Sequence, residues 1–282
     1  MSRTWFITGI SSGFGYELTK QLLEKGDTVV GTVRNENSKG KAGELKEKYN
    51  DLLDLKYLDV TEVDNLHRVV KESFEQHERI DVVVNNAGYG LFGAAEELPE
   101  NEVNMIIATN LTAPILIIKD VIPLMREQGG GRIIQLSSYG GQVAYPGNSL
   151  YHATKFGIEG FCESVAQEVA DFGIGITIVE PGGARTEFRY SSARAYTSNP
   201  IYDGTPTHAF LKMLDPANGL APGNPALMAT RMIESVDKNP APLRMVLGSQ
   251  ALKATIDRLE ERVADYKTQT ELAASTDYKD GE

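Results

Sequence analysis

The sequence predicts an α/β protein in which about seven strands form one doubly wound parallel sheet with helices on both faces. Short apolar runs rich in β-branched residues alternate along the 282 residues with longer segments of helical period. No internal repeat and no linker rich in Pro, Gly or Ser divides the chain. Because right-handed crossovers connect parallel strands, this alternation favours a single domain over residues 1–282.

The predicted elements follow this alternation in order. The strands are Trp5–Thr8, Thr28–Val33, Asp54–Leu58, Ile80–Val84, Arg132–Leu136, Ile174–Val179 and Leu243–Leu247. The helices are Gly15–Lys25, Asn37–Tyr49, Val63–His77, Glu100–Arg126, Tyr151–Phe172 and Asn224–Val236.

Two regions interrupt the pattern. Residues 187–225 have no clear period and many aromatic side chains, which predicts either a substrate loop or lid, or a surface excursion packed on itself. The C-terminal tail, residues 250–282, is predicted to be helical to about Thr270 and then polar and frayed.

Composition excludes several classes of protein. Cys162 is the single cysteine, so an intramolecular disulfide and a Cys-based zinc site are excluded, and no metal is expected because the four histidines lack ligand spacing. The net charge of −11 argues against nucleic acid as a partner. We find no apolar run near the ~20 residues of a membrane span and no signal peptide, and we expect a reducing, cytoplasmic location.

A glycine-rich turn follows the first predicted strand. Glycines there permit positive φ and a close backbone approach, and the helix N-terminus that follows suits a pyrophosphate. The spacing is G-x-x-x-G-x-G, which differs from the G-x-G-x-x-G fingerprint. The candidate phosphate-binding residues are Gly9, Ser11, Ser12, Gly13, Phe14 and Gly15.

An alternative interpretation uses the same residues. Gly9 to Gly13 also matches G-x-S-x-G, the nucleophile elbow of α/β-hydrolases, with Ser11 as the nucleophile of an esterase. That mechanism needs a downstream acid and then a histidine, and only His208 lies late enough in the chain. The phosphate-binding turn is therefore the preferred interpretation.

The second predicted strand ends at Val33 and is followed by Arg34. A fold that prefers NAD places an acid near this point to bind the ribose 2′-hydroxyl. An arginine can instead hold a 2′-phosphate with two hydrogen bonds. The sequence therefore predicts NADP(H) as the cofactor, with Arg34 as a solvated loop charge as the alternative.

Tyr-x-x-x-Lys places a phenol and an ammonium one helical turn apart. The pattern occurs at Tyr16/Lys20 and at Tyr151/Lys155. The second pair begins a predicted helix and lies 13 residues after Ser138, which follows a strand end. Active-site groups gather at such positions in parallel sheets.

With these features in one order, the chain resembles the short-chain dehydrogenase/reductase family from Thr8 to about Thr186. Its branch with 17β-hydroxysteroid and retinol dehydrogenases is the most similar. The matching motifs are Thr8-Gly9-x-x-x-Gly13-x-Gly15, Asp59-Val60, Asn85-Asn86-Ala87-Gly88, Asn110, Ser138, Tyr151-x-x-x-Lys155, and Pro181-Gly182 with Thr186. The resemblance implies a Rossmann-like domain and a homodimer or homotetramer.

The resemblance also implies roles for individual residues. Tyr151 would be the acid in reduction and the base in oxidation, Lys155 would assist it and bind ribose, and Ser138 would bind the substrate oxygen. Asn110 would support a water that links Lys155 to solvent, or it simply satisfies a backbone group. The further implied cofactor contacts, for which turn formation is the alternative, are Asp59, Val60, Asn85, Ala87, Gly88, Pro181, Gly182 and Thr186.

An energy comparison makes Tyr151 a plausible acid. Lowering a tyrosine pKa from ~10 to ~7 requires about 4 kcal/mol. One ammonium ~4–5 Å away supplies about 3–4 kcal/mol at an effective dielectric of ~20. Lys155 is therefore nearly sufficient to make the Tyr151 phenol acidic.

We thus expect an NADP(H)-dependent oxidoreductase that transfers hydride between nicotinamide and a carbonyl or alcohol substrate. Gln142 and Tyr145, with Ser138 and Tyr151, are the candidate substrate contacts. Their surroundings favour a bulky hydrophobic ketone, aldehyde or alcohol, such as a steroid, a retinoid or an aromatic ketone. A non-catalytic NADP-binding sensor is a further alternative, although the set Ser138, Tyr151 and Lys155 argues against it.

Overall fold

A computed structural model describes residues 2–188, 193–196, 199–214 and 220–278 of the chain. The strands within these residues are β1 (Thr4–Ile7), β2 (Thr28–Val33), β3 (Leu53–Tyr57), β4 (Val82–Asn85), β5 (Gly90–Phe92), β6 (Gly131–Leu136), β7 (Ile174–Pro181), β8 (Ala193–Ala195) and β9 (Arg244–Leu247). The helices are α1 (Gly13–Glu24), α2 (Lys41–Lys48), α3 (Val63–Gln76), α4 (Glu100–Ile107), α5 (Ala113–Glu127), α6 (Ser149–Val169), α7 (Pro206–Leu214), α8 (Pro225–Ser235), α9 (Ser249–Lys267) and α10 (Thr270–Ala274).

Seven of the strands form one parallel sheet in the order β3-β2-β1-β4-β6-β7-β9. Strand order reverses between β1 and β4, where Trp5 pairs with Val29 on one side and Val82 on the other. In such sheets, ligands bind beyond the carboxyl ends of the strands near this reversal. The order confirms the predicted α/β doubly wound fold.

Side chains alternate along each strand, so each face of the sheet buries its own core. Trp5 and Ile7 point to the face covered by α1, α2 and α8. Phe6 points to the opposite face, where α3, α5 and α6 pack. All three side chains are fully buried. Helices on both faces explain why the strands read as continuous apolar runs in the sequence.

Every predicted strand exists, and its ends shift by at most two residues. The helix predicted over Asn37–Tyr49 instead begins at Lys41, because Gly40 has a φ of +50°. A Cβ at Gly40 would lie 2.9 Å from the carbonyl oxygen of Ser11, so glycine is required where this loop crosses the first turn.

The predicted helix Glu100–Arg126 is one continuous rod in three parts: α4, a π-helical turn at Ala108–Thr112, and α5. Its most apolar 18-residue window has a mean hydropathy of 1.7, so Glu100–Glu127 could cross a membrane by length and composition alone. The expectation of no such run was wrong. Ile117, Ile118 and Val121 are nevertheless buried against the sheet, as in the core helices of α/β proteins.

Regular structure also occurs in the region predicted to be irregular. Strand β8 pairs in parallel with β5, and α7 follows a short 3₁₀ turn at Pro200–Tyr202. The remaining parts, residues 189–192, 197–198 and 215–219, lie outside the described residues, as does the chain end from residue 279. The C-terminal tail is helical further than predicted, because α10 extends to Ala274.

Candidate active site

The glycine turn lies between β1 and α1, at the carboxyl edge of the sheet. Gly9 and Gly13 have φ values of +73° and +58°, which side-chain-bearing residues rarely adopt. A Cβ at Gly15 would lie 2.2 Å from the carbonyl oxygen of Gly9, so the helix starts in close contact with the turn. Backbone conformation or close contact therefore explains why each of these three positions is glycine.

Two residues that the sequence analysis did not assign hold this turn in place. The Thr8 hydroxyl accepts hydrogen bonds from the backbone N–H groups of Asn86 and Ala87, both at 3.0 Å. The Asn86 amide donates to the carbonyl oxygens of Thr8 and Gly9, both at 2.8 Å. The motif Asn85-Asn86-Ala87-Gly88 is thus fastened to the glycine turn across two adjacent strands.

The N-terminus of α1 has the donor set of a phosphate site. Ser12 is the N-cap, and its side chain makes no capping hydrogen bond, so it does not compete for the first N–H groups of the helix. No side chain projects at Gly13, and the Thr186 side chain lies 3.6 Å from where its Cβ would be. Free N–H groups and a helix dipole fit the pyrophosphate of a nicotinamide dinucleotide.

Arg34 lies directly after β2, and its side chain is 64% exposed. Its Nε is 3.7 Å from a carboxylate oxygen of Asp59, whose other oxygen accepts hydrogen bonds from the backbone and side chain of Thr61. Among the described residues, the guanidinium is tethered by one long ion pair. Its contact with a 2′-phosphate stays a prediction.

The predicted adenosine contacts divide into two groups. Val60, Ala87 and Gly88 lie at the carboxyl edge of β3 and β4, next to the glycine turn. Asn85 is instead 3% exposed, and its amide donates to the carbonyl of Pro114 at 3.4 Å inside the core. The structure therefore gives Asn85 a packing position, while its neighbour Asn86 holds the turn.

The predicted nicotinamide contacts follow β7. The N–H of Gly182 donates to the carbonyl of Leu247 at 2.8 Å, and Pro181 pairs with the same residue in the sheet. Gly182 therefore uses its donor to hold β9 and does not direct it toward a cofactor. Thr186 lies beside Gly13 and accepts a hydrogen bond from the N–H of Phe188 at 3.4 Å.

Tyr151 and Ser138 meet at the carboxyl end of β6. Tyr151 is in the first turn of α6, and its phenol lies near the Ser138 hydroxyl, which favours the phenolate and lowers the pKa of the phenol. The Ser138 hydroxyl also accepts the N–H of Gly140 at 3.0 Å, which fixes its orientation. A phenol and a hydroxyl are thus adjacent, as the sequence predicted for binding one substrate oxygen.

Lys155 lies one turn further along α6, with its Nζ 5.7 Å from the centre of the Tyr151 ring. The ammonium donates to the carbonyl of Leu136 at 2.9 Å. Burial lowers the pKa of Lys155 to about 8, although the negative charge of Glu159 acts to raise it. The lysine therefore carries its charge at neutral pH and loses it just above.

Burial also raises the pKa of Tyr151 to about 12, although the nearby Ser138 hydroxyl opposes the shift. The sequence analysis expected Lys155 to be nearly sufficient to make this phenol acidic, but burial shifts the pKa in the opposite direction. The sequence estimate counted the attraction of one ammonium and omitted the cost of placing a phenolate away from water. The site therefore holds a protonated phenol, ready to act as an acid.

His152 supports the Ser137–Gln142 turn, which carries Ser138, and takes no part in proton transfer. Its Nδ1 lies 2.7 Å from the carbonyl oxygen of Gly140, and its Nε2 accepts the N–H of Tyr145 at 3.0 Å. Burial lowers its pKa, so the ring is neutral with its proton on Nδ1. The imidazole is therefore engaged with the Gly140 and Tyr145 backbone.

Asn110 lies in the π-helical turn between α4 and α5. Its side-chain amide donates to the carbonyl of Tyr89 at 2.8 Å and accepts the N–H of the same residue at 3.1 Å. Both polar groups therefore satisfy backbone beside the site, which is the alternative that the sequence left open. Its link to Lys155 through water stays a prediction.

Aromatic side chains lie beside Tyr151 and beside its neighbour His152. Phe92 and Phe188 lie 6.0 and 5.8 Å from the Tyr151 ring, and the pair β5–β8 brings them there. Tyr145 stacks on Phe210 of α7 at 5.2 Å. We call Phe92, Phe188, Tyr145 and Phe210 the aromatic wall.

Gln142, predicted as a substrate contact, is held by hydrogen bonds to its own surroundings, and its contact with substrate stays a prediction. Its side-chain amide donates to Glu159 at 2.5 Å, and its backbone carbonyl accepts a hydrogen bond from Arg262 at 3.1 Å. The spacing from Ser138 could not reveal this, because Glu159 reaches the loop only through the packing of α6. Gln142 therefore supports the loop that carries Ser138.

Ser11 does not have the partners of a hydrolase nucleophile. His208 lies in α7 instead, where its Nδ1 is 3.1 Å from Asp203 and its ring contacts Tyr202. The Ser11 backbone supports the close crossing at Gly40. The esterase interpretation is therefore not favoured.

Comparison with known proteins agrees with this geometry. The family model described as short chain dehydrogenase matches residues 3–196. The chain is 36% identical over 257 residues to Oxidoreductase BOA17 of Botryotinia fuckeliana, covering 90% of this chain and 91% of the relative. It is 38% identical over 182 residues to 3-ketodihydrosphingosine reductase of Bacteroides thetaiotaomicron, covering 64% of each chain.

Two solved structures extend the comparison. A short-chain dehydrogenase from Streptomyces avermitilis superposes with a TM-score of 0.90, at 33% identity and covering 98% of both chains. A structure of ElxO with NADP bound superposes with a TM-score of 0.70, at 25% identity, covering 87% of this chain and 98% of that one.

Proposed function

Because the chain belongs to the short-chain dehydrogenase family, and is therefore a dehydrogenase or reductase, we propose that it interconverts a bulky hydrophobic carbonyl compound and its alcohol with NADP(H). The observation that carries the proposal is the adjacency of Tyr151, Ser138 and Lys155 beside the aromatic wall. These groups lie at the carboxyl edge of the sheet, on the same edge as the glycine turn.

The residues of the chain perform the proton chemistry. Tyr151 donates its phenolic proton to the carbonyl oxygen during reduction and removes the hydroxyl proton during oxidation. The Ser138 hydroxyl hydrogen-bonds the same oxygen and stabilises the charge that develops there. A nicotinamide dinucleotide, when bound, supplies or accepts the hydride.

Lys155 stabilises the state that follows proton donation. Its ammonium favours the Tyr151 phenolate by electrostatic attraction. The glycine turn with Ser11, Ser12 and Phe14 would hold the pyrophosphate, and Lys155 would bind the nicotinamide ribose. Carbonyl reduction needs the protonated phenol and alcohol oxidation needs the phenolate, so reduction declines and oxidation increases as pH rises.

NADP(H) is the proposed form of the cofactor. Arg34 follows the strand next to the glycine turn, and Lys39 and Lys41 follow within seven residues. Their positive charges attract a 2′-phosphate. The ElxO structure with NADP bound supports the same choice.

The aromatic wall supports a substrate of bulky apolar chemistry, because aromatic rings bind apolar surfaces through area and stacking. The name of the Bacteroides relative, 3-ketodihydrosphingosine reductase, describes a long-chain ketone and agrees with that class. Steroid, retinoid and aromatic ketones fit the same description. We therefore propose that the chain is most similar to the branch with 17β-hydroxysteroid and retinol dehydrogenases.

We propose a single catalytic domain over residues 1–282, located in the cytoplasm and assembled as a homodimer or homotetramer. The single buried thiol, Cys162, supports a reducing compartment. Light scattering of the purified protein tests the assembly.

The experiment that tests the function mixes the protein with NADPH and a panel of ketones and aldehydes. The panel includes a steroid ketone, a retinal, an aromatic ketone, a long-chain 3-keto compound, a sugar and a short keto acid. Loss of the absorbance of reduced nicotinamide with the apolar compounds alone is expected. Turnover confined to sugars or charged acids would contradict the substrate class.

The same experiment separates the alternatives. Binding of NADPH without turnover of any carbonyl compound would indicate the sensor. Ester cleavage that needs Ser11 and no dinucleotide would indicate the hydrolase.

A further inference from the structure

Glu159 is a carboxylate buried behind the catalytic residues. It lies on α6, four residues after Lys155, and is 1% exposed. Buried charges are costly and are kept only where they are paired and hydrogen-bonded. Its surroundings therefore indicate what it does.

The Glu159 carboxylate contacts both ends of the turn that carries Ser138. The Ser137 hydroxyl donates to its Oε1 at 2.5 Å, and the Gln142 side-chain amide donates to its Oε2 at 2.5 Å. Between them, a Cβ at Gly141 would lie 1.8 Å from Oε1. The carboxylate thus fills the hollow of this turn, and glycine is needed to admit it.

Lys155 and Glu159 hold adjacent residues of the same strand end. Lys155 donates to the carbonyl of Leu136, and Glu159 accepts from the side chain of Ser137. Residues four apart on a helix share a face. The two side chains therefore fix the end of β6 immediately before Ser138, with opposite charges on consecutive turns.

Arg244 on β9 balances only part of the negative charge near Lys155. Its Nη1 donates to Glu159 and to Glu180 of β7, both at 2.5 Å, and its Nη2 donates to Glu163 of α6 at 2.8 Å. One guanidinium therefore faces three carboxyl groups. Among the described residues, the other titratable groups that interact with Glu159 are Tyr151, Lys155 and Cys162 on α6, and Arg262 on α9 donates to the carbonyl of its partner Gln142.

We propose that Glu159 is a positioning residue for the reaction, which holds the Ser137–Gln142 turn in shape and keeps Lys155 in its ammonium form. The inference rests on the proposed roles of Tyr151, Ser138 and Lys155. To these three residues it adds Glu159, a polar group that touches neither substrate nor cofactor. Through Arg244, Glu159 also links the Ser137–Gln142 turn to β9, the last strand of the sheet.

The titration of the site supports this role. Burial lowers the pKa of Lys155 to about 8, and Glu159 acts in the opposite direction. Burial raises the pKa of Tyr151 to about 12, and Glu159 adds to that increase. Removing the Glu159 charge is therefore expected to lower both pKa values.

The first test needs neither substrate nor cofactor. Because the pKa of Lys155 is lower in the folded chain than the ordinary lysine value of 10.5, the unfolded chain binds more protons between about pH 8 and 10.5. The Lys155 contribution to the free energy of unfolding therefore rises with pH in that window. The Lys155 contribution is measured as the difference in urea midpoint between the parent and K155M at a series of pH values.

In E159Q, this rise should begin about one pH unit lower, because glutamine keeps the size of the side chain and removes the charge. E163Q is the matched control, since Glu163 binds the same Arg244 from the same helix with a side chain that is 46% exposed. The window should stay unchanged in E163Q. An unmoved or upward-moving window in E159Q overturns the proposal.

The second test follows carbonyl reduction by NADPH. The alkaline decline of kcat should shift about one pH unit lower in E159Q and stay in place in E163Q. A loss of rate at all pH values with no shift would indicate a merely structural role and overturn the proposal. If the parent reduces no carbonyl compound, the proposed function fails, whereas the unfolding test still decides the role of Glu159.

Discussion

The chemistry of single residues depends on how the first turns of α6 present a phenol and an ammonium to the end of β6. Tyr151 contacts Ser138, Lys155 contacts Leu136, and His152 holds Gly140. The spacing of four residues predicted that Tyr151 and Lys155 lie on one face of a helix. The direction of the Tyr151 pKa shift was not predictable, because its burial depends on Phe92 of β5 and on Phe188, which are distant in sequence.

Y151F removes the acid and keeps the ring. We expect kcat for carbonyl reduction to fall about 10²–10⁴-fold, because general acid catalysis contributes about that much. NADPH binding, measured by fluorescence titration, should persist. Y16F is the matched control, because Tyr16 belongs to the other Tyr-x-x-x-Lys pair and its ring lies under Lys41. Normal turnover in Y151F would refute the assignment.

R34D places a carboxylate where the proposed 2′-phosphate binds. We expect KM for NADPH to rise about 10–100-fold, which corresponds to about 1.5–3 kcal/mol for a hydrogen bond to a charged group. KM for NADH should fall or stay unchanged. R68D on α3, where Arg68 pairs with Glu72, is the control for a change of charge. Equal effects of both substitutions would contradict the role of Arg34.

At the level of secondary-structure elements, the substrate side of the site depends on pieces far apart in sequence. Strand β8 pairs with β5, and Phe188, which follows β7, lies 5.8 Å from the Tyr151 ring. Helix α7 places Phe210 against Tyr145. The sequence predicted a loop or lid over residues 187–225, and a three-residue strand is too short to produce a recognisable period there.

F210A is expected to weaken binding of bulky apolar carbonyl compounds. Loss of the stacked ring should raise KM about 10-fold for an aromatic ketone and leave KM for a short aldehyde unchanged. M213A is the control, because Met213 lies on the same helix and is 57% exposed. Steady-state kinetics with both substrates measure the difference. A uniform change for both substrates would argue against a substrate-facing role for α7.

For the whole molecule, stability comes from burial on both faces of one sheet. Phe6 is fully buried among side chains of the α3, α5 and α6 face, whereas its neighbours Trp5 and Ile7 belong to the opposite face. This two-sided core also fixes the position of the candidate active site, since β1, β4, β6 and β7 all end at the site.

F6A should lower the free energy of unfolding by about 3–5 kcal/mol, because a buried phenylalanine loses its contacts and leaves a cavity. L272A is the control, since Leu272 is 67% exposed on α10. Urea unfolding followed by circular dichroism gives both values. A loss below 1 kcal/mol in F6A would contradict the two-sided core.

The local pattern of the chain was enough to predict the fold class, the strands and the glycine turn. Each of these depends on short-range spacing: β-branched runs, helical period, and glycines where φ is positive. The same is true of Ser138, Tyr151 and Lys155, because a strand end and one helical turn set their separation.

Only the tertiary structure decided which polar groups face each other across elements. The Asn85 side chain points into the core, whereas Asn86 and Thr8 form the hydrogen bonds that hold the glycine turn. The tertiary structure placed Gln142 on Glu159 and made Tyr151 a weaker acid than its neighbour Lys155 suggested. Hydrogen bonds and burial between distant segments have no period in the sequence, so they become visible only when the strands and helices are packed.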